Sequence, residues 1–205
     1  PNIRKSVKTY SKPENKIVDI IKFVKKEIRL GNQIFWVCPL IEESKKLDHS
    51  SAVKKSEYLN KLFPNQVFLL HGKTTTEEKE MILNKFLKNE FKILVSTTII
   101  EVGIDFPNAN VIIIENANKF GLSQLHQLRG RVGRGSKESS CILMFKSNLS
   151  DNAKKRISIL KDSNDGFKIS EEDMKLRGFG DILGFKQSGI KNFKLADPVL
   201  SLIHI

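Results

Sequence analysis

Short apolar runs separated by amphipathic stretches set the pattern of this chain. Ile17, Ile20, Ile21, Val24 and Ile28 recur at helical spacing and mark one helix face, with Gly31 as its stop. Ser11-Lys12-Pro13-Glu14 reads as a capping box for that helix, and Asn2–Tyr10 as an entering connector. Ile34–Val37 is a continuous apolar run rich in β-formers, as expected of a strand covered on both faces. Leu40–Ser50 is polar and loop-like, and Ala52–Leu62 reads as a helix ending before Pro64. Val67–Leu70 is a second buried strand. Thr75-Thr76-Glu77-Glu78 caps a helix that carries Ile82/Phe86 and Leu83/Leu87 at i, i+4 spacing.

Three further strands follow at Lys92–Ser96, Val111–Ile114 and Cys141–Phe145, with a short helix over Ser123–Arg129. Strands alternating with helices, with unbroken apolar strand centres, predict an α/β fold with an open parallel sheet flanked by helices. Ligands of such sheets sit outside the carboxyl ends of the strands. The loops after Leu70, Ser96 and Ile114 are therefore the places where chemistry is expected.

Beyond Phe145 the alternation ends. Ser150-Asp151 opens a helix through Ala153, Ile157 and Leu160, and Asp162–Gly166 reads as a turn. Ser170-Glu171-Glu172-Asp173 starts a second helix that ends near Arg177-Gly178, followed by a glycine-spaced stretch at Gly178, Gly180, Gly184 and Gly189. This is a helical hairpin and an extended hook. The division is expected near 148, giving a sheet domain over 1–148 and a hairpin-hook unit over 149–205.

Charge narrows the function. The 205 residues carry a formal net charge of +12, which favours polyanions, nucleic acid first. At 40% hydrophobic residues the chain is globular, and no run approaches the roughly 20 apolar residues of a membrane-spanning helix. Cys38 and Cys141 lack C-x-x-C spacing and histidine company, so they read as small buried hydrophobes in a reducing compartment and not as zinc ligands. The chain opens on Pro1 without Met, which suggests a piece of something longer.

Two strings carry candidate chemistry. Gln127–Arg134, with its flanks HQLRGRVGRG, alternates Arg129, Arg131 and Arg134 with Gly130 and Gly133. Guanidinium forks on a tightly turning backbone suit the negative charge that develops during phosphoryl transfer. The string alone also fits a solvated phosphate patch. Thr97–Asp105, TTIIEVGID, leaves a buried strand and ends in a Gly-x-Asp turn. Thr at a strand end can offer a hydroxyl and a backbone N–H to a phosphate, and Asp105 can accept from a ribose hydroxyl or an arginine.

Together the two strings resemble motifs VI and V of superfamily 2 helicases. The linking segment IENANKFGLSQLHQLRGRVGRG, the stretch Phe35–Asp48 and the His71-Gly72-Lys73 triplet are similar to the RecG family within that superfamily. Asp162–Arg177 with GFGDILGFKQSG resembles the TRG motif shared by the RecG family and the transcription-repair coupling factor. The FKLAD stretch at Phe193–Asp197 is similar to the RecG family.

The resemblance implies a RecA-like second lobe of an ATP-dependent DNA helicase acting on stalled forks and branched junctions, in the bacterial cytoplasm on the nucleoid. It implies Arg131 and Arg134 as arginine fingers, with Gln127, Gly103 and Asp105 at the nucleotide. Thr97 and Thr98 match the nucleic-acid side of motif V, and His71 and Lys73 are further candidates for DNA phosphate. It implies Arg156, Arg177 and Gln187 as residues that couple lobe movement to translocation; Arg129 receives no role. The implied cofactors are ATP and Mg²⁺. The implied partners are duplex and branched DNA, plus the first RecA-like lobe and N-terminal wedge domain of the same protein.

The chain has no G-x-x-x-x-G-K-S/T loop and no DEAH-like string, the parts that hold the triphosphate and its metal. It is expected to be inactive as an ATPase by itself. The coupling factor and a non-catalytic basic nucleic-acid-binding module are the alternatives. The second would scatter its arginines without Gln127, Gly130 and Gly133 at set spacing.

Overall fold

The computed structural model describes residues 6–39, 45–97, 106, 108–133, 138–146 and 149–177. Six strands form one sheet: β1 (Val7–Pro13), β2 (Gln33–Val37), β3 (Val67–Leu70), β4 (Ile93–Ser96), β5 (Ala109–Ile114) and β6 (Ser139–Phe145). Their order is β1-β6-β5-β2-β4-β3, and every pairing is parallel. The helices are α1 (Ile17–Arg29), α2 (Lys45–Leu62), α3 (Thr76–Leu87), α4 (Leu122–Arg129), α5 (Asp151–Asp162) and α6 (Gly166–Arg177). The expected open parallel α/β sheet is the observed one.

The alternation of side chains along each strand divides the core in two. Ile34, Trp36, Ile93, Val95, Val111 and Ile113 face α1 and α2, meeting Ile20, Ile21, Val24, Ala52, Leu59 and Phe63. Phe35, Val37, Leu94, Ile112, Ile114 and Leu143 face the other way, toward α3, α4, α5 and α6. Burial on both faces explains the lack of polar residues within these strands. At their amino ends, Gln33 Nε2 donates to the carbonyls of Phe86 and Phe91, both at 2.8 Å. Asn110 Nδ2 donates to Asn32 Oδ1 at 3.0 Å. These bonds satisfy amides that would otherwise be costly to bury.

Four expectations need correction. The segment read as a connector contains β1, an edge strand paired with β6 from Val7↔Ser139 to Pro13↔Phe145. Only Val7 is buried in it, so it lacks an apolar signature. Ser11 therefore lies in a strand and caps nothing. A 3₁₀ turn (Glu14–Lys16) leads into α1, whose N-cap position is Lys16, without a side-chain cap. Helix α2 begins at Lys45, within the stretch read as loop, because its first turns are charged and polar. Helix α6 begins at Gly166, ahead of the expected Ser170. There Asp165 Oδ1 accepts from the Phe167 N–H at 2.9 Å, a cap that precedes the acidic run taken for the start. The capping box at Thr75 is present with both bonds: Glu78 N–H to Thr75 Oγ1 at 3.2 Å and Thr75 N–H to Glu78 Oε2 at 3.1 Å.

The hairpin is not a detached appendage. Ile157, Leu160 and Ile169 belong to the same apolar cluster as Leu125 and Leu128 of α4. Ser150 caps α5 as expected, its Oγ accepting from the Ala153 N–H at 3.3 Å.

Candidate functional site

The chain leaves β4 at Ser96, passes across β2 and re-enters the sheet as β5. The order of strands reverses there, which opens a crevice beyond their carboxyl ends. The strand ends are pinned up to this edge. Cys38 N–H donates to Ser96 O at 2.8 Å, Glu115 N–H to Val37 O at 2.9 Å, and Thr97 N–H to Leu70 O at 3.2 Å. Thr97 is buried just past the carboxyl end of β4, next to the carbonyl that leads into His71. Thr98, Gly103 and Asp105, the other candidates of this string, lie outside the described residues.

The His71-Gly72-Lys73 triplet forms a self-bonded turn. Thr74 N–H donates to His71 O at 3.0 Å, His71 N–H to Thr74 Oγ1 at 3.0 Å, and Lys73 N–H to His71 Nδ1 at 3.1 Å. The last bond fixes Nδ1 as an acceptor. The Lys73 side chain is exposed at the same edge. The structure thus brings Thr97, His71 and Lys73 to one end of neighbouring strands.

Helix α4 presents the arginine string. Leu122, Leu125 and Leu128 anchor it in the core, and Gln127 is exposed on the far side. After Arg129 the chain turns, with Gly130 N–H bonded to His126 O and Arg131 N–H to Leu128 O, both at 3.0 Å. Val132 plunges back into the core, and Arg131 is half-buried. Gly133 has φ +80, and a Cβ there would stand 3.0 Å from Val7 Cγ2 and 3.2 Å from Ser139 Cβ. The glycine is needed both for its backbone and for its missing side chain. Gly133→Ala is expected to cost about 1–3 kcal/mol, read as a lower Tm of the purified chain; an unchanged Tm would show that the turn relaxes freely. Arg134 lies outside the described residues.

Arg129, which the sequence left without a role, is 3% exposed and fully engaged. Its Nη1 donates to Leu160 O at 2.6 Å, Ser163 O at 2.9 Å and Thr9 Oγ1 at 3.3 Å, and its Nη2 lies 3.1 Å from His126 Nδ1. It ties α4 to the carboxyl end of α5 and to β1. The cation also meets the free carbonyls of a helix end, where positive charge is favoured. Arg156 makes a second tie. Its Nη1 donates to Phe120 O at 3.0 Å and its Nη2 to Asn118 O at 3.4 Å, joining α5 to the turn before α4. Arg177 ends α6, but its side chain, like the whole of Gln187, lies outside the described residues.

One cluster escaped the sequence reading. Glu115, at the end of β5, accepts from Trp36 Nε1 at 2.8 Å and pairs with Lys55 Nζ at 2.9 Å. That ammonium lies 5.6 Å from the Trp36 ring centre and 5.7 Å from that of Tyr58. A glutamate closing the apolar run VIII was the available signal. Cys38 and Cys141 are buried. Burial pushes both thiols up, Cys141 to about 12, so neither is a ready nucleophile. Among the described residues no helix is long and apolar enough to cross a membrane.

A parallel sheet whose strand order switches between β4 and β5, a glycine-turned arginine string after α4 and a docked helical hairpin are the parts of the second RecA-like lobe of a superfamily 2 helicase. Residues 15–136 match the helicase conserved C-terminal domain, and residues 163–199 match the C-terminal part of domain 3 of the ATP-dependent DNA helicase RecG. The RecG helicase of Bacillus subtilis is 47% identical over 201 residues, 97% of this chain and 29% of that protein. That of Thermotoga maritima is 48% identical over 199 residues, 96% of this chain and 25% of that protein. A solved structure of RecG bound to a three-way DNA junction superposes with a TM-score of 0.76 at 44% identity, covering 99% of this chain and 26% of that one. The C-terminal domain of the DEAD-box protein Dbp5, at 21% identity and a TM-score of 0.53, covers 83% of this chain and 97% of its own, and shares the fold. The chain belongs to the RecG family of ATP-dependent DNA helicases, of which it is the C-terminal helicase lobe. It spans less than a third of the length of those two curated relatives.

Proposed function

We propose that this chain is the moving half of an ATP-driven motor that remodels stalled replication forks and branched recombination junctions. ATP and Mg²⁺ are held mainly by the first RecA-like lobe, whose P-loop lysine and acid position the triphosphate. Gln127, Gly103 and Asp105 face the nucleotide from this side, and Arg131 and Arg134 meet the charge that develops on the transferred phosphoryl group. Thr97, Thr98, His71 and Lys73 hold phosphates of duplex or branched DNA, whose branch point rests on the N-terminal wedge domain. Arg156, Arg177 and Gln187 convert closure of the lobes into a step along the duplex. The functional boundary lies near 148, with the hairpin-hook unit over 149–205 as the transmission.

The observation that carries this reading is the pair of arginine ties, the buried Arg129 and the half-buried Arg156, which bind the hairpin to α4, the helix that leads into the finger string, and to the turn before it. A displacement of α4 on nucleotide closure has to be taken up by the hairpin. The test is Gln187→Ala in the intact protein, with ATP hydrolysis and fork unwinding measured side by side. Hydrolysis retained with unwinding lost is the expected outcome. Parallel loss of both, or loss of neither, rejects the transmission.

The +12 charge leads to a second expectation. Duplex or forked DNA binds this chain weakly, and log K falls linearly with log salt with a slope of about −0.9 per phosphate contacted. Titration between low and high salt checks it, and affinity independent of salt would make the charge incidental.

A further inference from the structure

Arg129 shares its face of α4 with His126, one turn earlier, and the histidine is the less buried of the two. A guanidinium only donates, so at 3.1 Å from Arg129 Nη2 the His126 Nδ1 must present its lone pair. The neutral ring then carries its proton on Nε2. That edge of the ring points at the first residue of α6. A Cβ built on Gly166 would stand 3.0 Å from His126 Nε2, tighter than nine in ten real Cβ contacts, so that the ring or the start of α6 would have to give by a few tenths of an ångström. Gly166 is thus a seat that lets the start of α6 rest directly on the imidazole.

The seat is stiff on its hairpin side. Ser163 Oγ accepts from the Asp165 N–H at 3.1 Å, Asp165 Oδ1 from the Phe167 N–H at 2.9 Å, and Asp165 O from the Ile169 N–H at 3.0 Å. Ser163 in turn gives its carbonyl to Arg129 at 2.9 Å. It is equally stiff on the α4 side, where Leu125 and Leu128 flank His126 in the closed core. Beyond Arg129 the chain enters the turn that carries Arg131. The imidazole is therefore the spacer that sets how far the finger helix stands from α6.

We propose that His126, seated on Gly166, is a positioning residue for the motor: it sets the register in which the hairpin follows α4, and so the work extracted per ATP. The proposal rests on the motor reading given above. It assigns neither residue any contact with nucleotide or DNA.

The experiment uses the intact protein and reads base pairs unwound per ATP hydrolysed on a forked substrate, alongside kcat for hydrolysis and Tm. Gly166→Ala is expected to lower unwinding per ATP by about fivefold or more while kcat stays within about twofold. His126→Asn keeps an acceptor where Nδ1 was but ends short of Nε2, which leaves room for the new methyl. The double variant Gly166→Ala/His126→Asn is expected to recover most of the loss. Should Gly166→Ala fail to fold, His126→Phe takes its place: its six-membered ring reaches farther toward Gly166 than the imidazole and lacks the Nδ1 acceptor, so it is expected to uncouple to a similar extent.

An unchanged ratio in Gly166→Ala, or in His126→Phe where that variant stands in, overturns the proposal. So does a double variant no better than Gly166→Ala, or a parallel fall of hydrolysis and unwinding, which would make the contact mere support for the fold. Arg134→Ala in the same assay keeps the two readings apart. Normal hydrolysis by that variant would fail the motor reading itself, whereas its inactivity beside a normal Gly166→Ala fails only this inference.

Discussion

In the intact protein, Arg134→Ala is expected to lower kcat for ATP hydrolysis by about 10³–10⁵ and to leave nucleotide affinity nearly unchanged. A guanidinium aimed at the transferred phosphoryl group does little for the ground state, whose charge is already met by the P-loop and Mg²⁺. Its contribution grows as charge spreads onto the equatorial oxygens, so its loss falls on kcat. The backbone leading up to this position is firmly held. Val132 is buried, and Gly133 is held at φ +80 between Val7 and Ser139, which leaves the turn little slack. Pre-steady-state and steady-state hydrolysis measured with Arg131→Ala in parallel would show which arginine dominates. A normal kcat with only KM raised would end the finger assignment.

The largest effect on stability is expected at Arg129. Arg129→Met keeps much of the aliphatic stem but strips donors from two carbonyls and a hydroxyl, at a residue that is 3% exposed. Hydrogen bonds to a charged group contribute about 1.5–3 kcal/mol each, and bonds sharing one side chain do not add, so a total near 3 kcal/mol is expected. For a chain of this size that is a fall in Tm of about 6–12 °C. Arg129→Lys is expected to recover only part, because one ammonium cannot span the same fork. Calorimetry of the purified chain checks both; a Tm within a degree of the parent would mean that water replaces the guanidinium at no cost.

The sequence made the interior of the fold legible and its margins less so. Strands β2, β4, β5 and β6 announce themselves because burial on both faces forces unbroken apolar runs such as Ile34–Val37 and Val111–Ile114, and the edge strand β3 is apolar throughout although only Leu70 is fully buried in it. Strand β1 has one neighbour and one buried residue, so Lys8, Thr9, Ser11 and Lys12 conceal it. The start of α6 was hidden because Asp165-Gly166 reads as a turn, and it is one that continues into a helix. At the candidate site, spacing marked the arginine string at a helix end and Thr97 at a strand end, and the resemblance to helicase motifs VI and V is what singled out Gln127, Arg131 and Thr97. Arg129 was opaque for a different reason. Its partners are main-chain carbonyls at Leu160 and Ser163, and carbonyls leave no mark on the sequence. Glu115 was similarly hidden, since its partners Trp36 and Lys55 are far away along the chain.

The pairing of β1 with β6 has a consequence for the order in which the molecule can be made. Val7 finds Ser139, and Thr9 meets the Arg129 guanidinium whose other acceptors are Leu160 and Ser163. A chain emerging from a ribosome therefore carries β1 without its partner strand until β6 has been synthesised. Contacts so distant along the chain form late, because loop closure has to precede them. The sheet edge and the hairpin share one guanidinium, so closure of β1 on β6 and docking of α5 each help to fix the other.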